Sequence, residues 1–200
     1  ALKAQINPHF VFNCLNSIRG FVYNEDFKNA DLYLQRFSQV LRSTLNFSTQ
    51  TAITILTELE FIETYLMLEK LRFGNKIEYT IQVKDELLQS KLYIPAMLLQ
   101  PFIENAIWHG LMPKETDRQL GIRFALVEEE ILSISITDNG IGRKAAAALK
   151  EQAGGTRHVS RGMQLVYDRL ELLPAIAASY RELVDEKSKR VPVFVTSAVA

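Results

Sequence analysis

The hydrophobic pattern of this chain changes period near residue 75, and that change restricts the fold more than any single motif. Up to Phe73 apolar residues recur at helical spacing. From Ile77 they alternate, with Tyr79, Ile81 and Val83 separated by Glu78, Thr80 and Gln82. A period of 3.6 buries one stripe of a helix, whereas a period of two buries one face of a strand. An α+β chain is therefore expected, with a helical segment first and then a two-layer sandwich of helices on a mixed sheet.

Over 1–23 the apolar positions include Leu2, Ile6, Phe10, Leu15, Ile18 and Val22, with Pro8 expected to bend the helix or mark a boundary just before His9. Asn24-Glu25-Asp26 reads as a turn. A second helix over 27–47 carries Leu34, Phe37, Leu41 and Leu45 on one stripe. The two make a helical hairpin whose apolar surface needs a cover. Ser48 to Ile55 reads as a connection, and Thr57-Glu58-Leu59-Glu60 as a capping box opening a helix that stops at Gly74. Pro95 is expected to begin a helix to about Leu111, with Pro101 in its first turns or at a kink. Strands follow over 120–127 and 131–137, joined by Glu128-Glu129. Helices near 143–151 and 161–173 and strands near 179–185 and 191–199 complete the pattern. The expected division is 1–50, helical, and 51–200, the sandwich.

Charge narrows the function. Lys and Arg number 23 and so do Asp and Glu, which leaves no footprint for direct nucleic-acid binding. Any anion site must come from local residues and backbone N–H groups. The single cysteine, Cys14, excludes a disulfide framework and fits a reducing cytoplasm. No apolar run reaches membrane-spanning length. The chain opens at Ala1 directly in a helical pattern, so it reads as a fragment, with room for an upstream membrane or sensor region outside this sequence.

Three short segments carry chemistry. Asp138-Asn139-Gly140-Ile141-Gly142 ends a strand with good turn chemistry, and its carboxylate can accept a hydrogen bond from an exocyclic amine such as the adenine N6. Glu104, Asn105 and His109 interrupt an otherwise apolar helix, where the Asn105 amide oxygen suits Mg²⁺ bridging phosphates. Ser160-Arg161-Gly162-Met163 opens a further helix, whose first N–H groups can face phosphate. Each alone is an ordinary turn, helix face or helix start. In this order, the three resemble the GHKL ATP-binding fold, with Asn105 at its N box, Asp138, Gly140 and Gly142 at its first glycine box and Gly162 at its second. The resemblance implies ATP with Mg²⁺, a metal contact at Asn105, and nucleotide contacts at Asn105, His109, Asp138, Gly140, Gly142, Arg161, Gly162 and Met163. Ser160 and Leu165 depart from the usual second glycine box. Lys150 to Arg161 resembles the mobile lid of this fold. There, Arg157, His158 and Arg161 read equally as phosphate contacts or as solvated charges.

Gln5-Ile6-Asn7-Pro8-His9-Phe10-Val11-Phe12-Asn13 and Glu104-Asn105-Ala106-Ile107-Trp108-His109-Gly110 resemble the motifs of LytS-type sensor histidine kinases. An imidazole nitrogen can take a phosphoryl group from ATP, so His9 is the expected acceptor. His9, Phe12, Asn13 and Asn16 share one helix face, and Asn13 either orients His9 or positions water for hydrolysis. Many histidine kinases carry a carboxylate directly after the acceptor; here Phe10 stands there. Glu104 is then the candidate general base, with a structural role such as orienting His109 as its other reading. The resemblance implies a homodimer built from the first two helices. It also implies a response regulator partner, often one with a LytTR-type DNA-binding domain. Two other readings stand beside this one: a GHKL module that holds nucleotide without phosphotransfer, and a GHKL ATPase. The ATPase branches carry a glutamate four residues before the N-box asparagine, where this chain has Pro101.

Overall fold

The computed structural model describes residues 8–50, 52–74, 76–88, 90, 92–127, 131–142, 145 and 193–199. Within them the first helix, α1, covers Pro8–Tyr23 and the second, α2, covers Phe27–Phe47. The turn between them places Glu25 in the left-handed region, and Asp26 caps α2 by accepting from the Asn29 N–H at 3.2 Å.

Of the stripe expected on α2, Phe37 is buried and Leu41 packs at the edge of the core, but the fully buried face is rotated from it. That face consists of Ala30, Tyr33, Phe37, Val40, Thr44 and Phe47, while Leu34 and Leu45 remain exposed. The aromatic residues decide the rotation, because their larger apolar area outweighs that of the leucines. Phe10 of α1 packs on Phe37 and on Tyr65 of the third helix, and Phe47 packs on Phe61. Phe10, directly after His9, is thus a core residue joining three helices.

Residues 48–55, read as a plain connection, contain strand β1, Ala52–Thr54. It pairs antiparallel with β3, Tyr93–Pro95, with Ile53 opposite Ile94. Helix α3 spans Ile55–Arg72 and is capped by Thr54, not Thr57. The Thr54 hydroxyl accepts from the Thr57 N–H at 3.2 Å and pairs with the Thr57 hydroxyl at 2.8 Å. The cap lies three residues upstream of its expected place because pairing of β1 holds Thr54 extended at the helix entrance. Such a cap stabilises by about 1 kcal/mol. Gly74, at φ 60°, ends the helix as expected.

Strand β2 is Ile77–Val83, as its alternation predicts, and a short helix α4 follows at Asp85–Leu88. Pro95 does not open a helix. It ends β3, and α5 begins only at Gln100, with Pro101 in its first turn. Non-local pairing of Ile94 with Ile53 overrides the local helical signal. After Asn105 the helix widens into a π-helical turn, Ala106–Leu111, marked by the hydrogen bond from Met112 N–H to Ile107 O at 2.7 Å.

Strands β4, Arg118–Val127, β5, Ile131–Asp138, and β6, Val193–Val199, complete a mixed sheet of order β2-β4-β5-β6. β2 pairs parallel with β4, β4 antiparallel with β5, and β5 parallel with β6. Leu120, Ile122 and Phe124 of β4 and Leu132, Ile134 and Ile136 of β5 share one core with Leu59, Leu66, Ile103 and Ile107. Each such buried side chain contributes roughly 1.5–3 kcal/mol. Glu78, Thr80, Gln82 and Arg123 lie exposed on the other face. The expected mixed α+β class is therefore what forms. The expected Glu128-Glu129 turn, most of the helix near 143–151, the helix near 161–173 and the strand near 179–185 fall outside the described residues. No described helix is long and apolar enough to cross a membrane.

Candidate functional site

The alternation of β5 carries a polar residue onto its buried face. Leu132, Ile134 and Ile136 point into the core, and two residues further the same face is occupied by Asp138, only 6% exposed. A carboxylate is costly to bury unless hydrogen-bonded. Asp138 Oδ1 accepts from the Gly140 N–H at 2.9 Å, closing a tight turn at the strand end.

That turn meets the π turn directly. The backbones of Gly140 and Gly110 touch: a Cβ on Gly140 would lie 2.4 Å from the Gly110 carbonyl carbon. A Cβ on Gly110 would lie 2.5 Å from Asp138 Oδ1. Ile141 N–H donates to Gly110 O at 3.1 Å. The two glycines therefore allow a backbone approach that no other residue pair permits, and Asp138 lies against it. Gly142, at φ 82° with open space around it, serves conformation instead.

Asn139 holds the opposite side. Its Oδ1 accepts from Gln119 N–H at 2.9 Å and its Nδ2 donates to Asp117 O at 2.8 Å. Lys114 Nζ donates to Asn139 O at 3.0 Å. Asp117 takes φ 51°, so Asn139 pins a strained turn at the start of β4. In sequence Asn139 is one letter of an Asp-Asn-Gly turn, which hides a side chain that bonds to a strand 20 residues away.

Asn105 ends α5 half-buried, and its amide oxygen suits an ion that keeps its waters and needs only one or two protein ligands. Glu104, also half-buried, accepts from Gln100 Nε2 at 2.9 Å. His109 lies exposed in the π turn. The donor set fits a nucleotide: a buried carboxylate for an amine, a glycine cradle and an amide oxygen. Glu104, Asn105, His109, Asp138, Gly140 and Gly142 are thus on two segments brought into contact. His9 is the second residue of α1, with its side chain outside the described part, and Asn13 follows half-buried one turn later. Ser160, Leu165, Arg157, His158, Arg161, Gly162, Met163 and the lid expected over 150–161 fall outside the described residues.

Behind the π turn lies a buried polar group that sequence reasoning missed. Glu69, 1% exposed, forms an ion pair with Arg72, three residues on along α3. Burial pushes the Glu69 carboxyl up to about 7, against the pull of Arg72, with Glu104 adding to the rise. The Arg72 guanidinium lies 3.9 Å over the Trp108 ring and 4.7 Å over Phe73. Glu58, 0% exposed, accepts from Met97 and Leu99 N–H at 3.2 and 3.1 Å and so ties down the segment entering α5. The only signal for either was a carboxylate amid helical apolar residues, which also describes any exposed helix face.

A family model described as histidine kinase matches residues 1–77. The sensor protein LytS of Staphylococcus epidermidis is 34% identical over 142 residues, 71% of this chain and 23% of that protein. The sensor histidine kinase BtsS of Escherichia coli is 37% identical over 138 residues, 69% of this chain and 24% of its own length. LytS of Enterococcus faecalis is 32% identical over 142 residues. The chain spans about a quarter of the length of these curated relatives.

Proposed function

This chain belongs to the histidine kinase family, in its LytS-type branch, and from that premise we propose that it is the ATP-binding, autophosphorylating part of a two-component sensor. The observation that carries the proposal is the contact of Gly110 with Gly140, which joins the helix of Asn105 to the turn of the buried Asp138. In this reading Asp138 would accept from the adenine amine, and Asn105 would hold a Mg²⁺ ion, whose charge would offset that of the phosphates. An imidazole nitrogen of His9 attacks the γ-phosphorus, the bond to the bridging β–γ oxygen breaks, and ADP leaves. Glu104 takes up the released proton. Asn13, one turn from His9, orients the imidazole.

The phosphoryl group then passes to an aspartate of a response regulator, for which a LytTR-type protein is the natural choice. Residues 1–50 supply the acceptor and the dimer contact, where the exposed Leu34 and Leu45 of α2 offer apolar area. Residues 51–200 form the GHKL-type catalytic domain, with Arg161, Gly162 and Met163 at the phosphates. The whole stands on the cytoplasmic side of a membrane, anchored by a region outside this sequence.

The test is labelling with γ-³²P-ATP. His9→Gln should abolish acid-labile label while leaving ATP affinity intact, and Asp138→Ala should abolish affinity itself. Histidine label in the first variant would displace the acceptor, and wild-type affinity in the second would remove the adenine contact.

A further inference from the structure

We infer that Arg72 is a positioning residue for the nucleotide site: stacked on Trp108 and held by Glu69, it fixes the π turn that sets Asn105 and Gly110 in register. The inference rests on the nucleotide reading above. Asn105 precedes the π turn and Gly110 lies within it, so the turn controls the angle between metal-binding amide and glycine cradle. A π turn takes up an extra residue relative to an α-helix. Were it to relax to α geometry, everything beyond it would rotate by about 100° relative to Asn105. Gly110 would then leave Gly140, and the hydrogen bond from Ile141 N–H to Gly110 O would go with it.

The turn is restrained at its C-terminal end. Arg118 Nε donates to Leu111 O at 3.0 Å and its Nη2 to Met112 O at 3.4 Å, satisfying the last carbonyls. Arg72 acts in the middle, with its guanidinium 3.9 Å over the Trp108 ring. Phe73 lies between the two arginines, 4.7 Å from the one and 5.4 Å from the other. The Arg72 side chain is only 10% exposed, and its partner Glu69 is 1% exposed, so little water competes for the stack. A planar guanidinium can lie flat on an indole while ion-paired at its edge; an ammonium keeps the charge but has no plane to stack.

That difference supplies the experiment, made on the full chain. Arg72→Lys keeps the charge opposite Glu69 but loses the planar stack. Trp108 is the only tryptophan, so its emission reports the contact directly. Arg72→Lys is expected to melt close to the wild type, shift Trp108 emission, speed amide exchange over 106–112 and bind ATP roughly tenfold more weakly. Trp108→Leu, which leaves Arg72 in place, should weaken binding equally, and the double variant should add nothing further. ATP affinity within about twofold of wild type in both single variants overturns the inference. If the wild-type chain binds no ATP, the nucleotide reading fails by itself. Exchange without nucleotide then decides the clamp, and equal protection over 106–112 in Arg72→Lys and wild type overturns it.

Discussion

Alanine at position 140 is expected to lower both stability and ATP affinity, and the structure gives the size of the effect. The new Cβ would stand 2.4 Å from the Gly110 carbonyl carbon and 2.5 Å from its Cα and oxygen. Non-bonded carbons pack at about 3.5–4.0 Å, so two stretches of backbone must separate by about 1 Å. Neither is a flexible side-chain end that can swing aside. Overpacking of this kind costs about 1–3 kcal/mol. Loss of the hydrogen bond from Ile141 N–H to Gly110 O adds about 0.5–1.5 kcal/mol. For a chain of this length, each kcal/mol lowers Tm by about 2–4 °C, so a drop of roughly 3–18 °C follows. Asp138, bonded to the Gly140 N–H, is displaced with the turn, and ATP affinity should fall by at least about tenfold. Thermal melting and titration calorimetry measure the two effects. Gly142→Ala is the control: it meets nothing within 4 Å and suffers only its φ of 82°, at about 1–2 kcal/mol. An alanine at 140 that melts with the wild type, or above the alanine at 142, would refute the close-contact reasoning.

Two further outcomes concern buried carboxylates. Glu58→Ala leaves the N–H groups of Met97 and Leu99 without their carboxylate acceptor, and should cost about 2–5 kcal/mol in urea unfolding; a loss under about 0.5 kcal/mol would remove Glu58 from the account. Glu69 gives a pH dependence. Its folded pKa, about 7, lies above the ordinary value of 4.5, so between these the native state binds the extra proton. Its contribution to stability is fully present below pH 4.5 and is lost as pH rises through 7, by on the order of 3 kcal/mol. Urea midpoints at pH 5.5 and 8.5 should therefore differ more in wild type than in Glu69→Gln, and equal slopes would contradict the assignment.

What could be read from sequence was local and periodic. The alternation of Ile77 to Val83, the helix over 27–47 and the stop at Gly74 needed only neighbours in the chain. What could not be read depended on distant partners. Ile53 and Ile94 form strands only because they meet, 41 positions apart, and that meeting moved the cap to Thr54 and kept Pro95 out of a helix. The motif residues Asn105, Asp138 and Gly140 were legible as chemistry, but not the backbone contact that unites them. Gly110 stood in the motif as a letter; its role appears only when Asp138 lies against it. Arg72 and Glu69 were invisible because helical spacing cannot distinguish a buried ion pair from an exposed one.

The sheet order has a practical consequence for anyone shortening this chain. Strand β5, which ends at Asp138, is interior, and β6 covers its outer side with Val199 opposite Asp138 itself. Removing the stretch from Val193 onward would strip a whole ladder of partners from β5 and turn it into an edge. An apolar edge such as Ile131–Asp138 invites pairing with a second molecule. A fragment cut after the glycine turn keeps every motif named for the adenine end, yet it would be expected to aggregate before it could bind nucleotide.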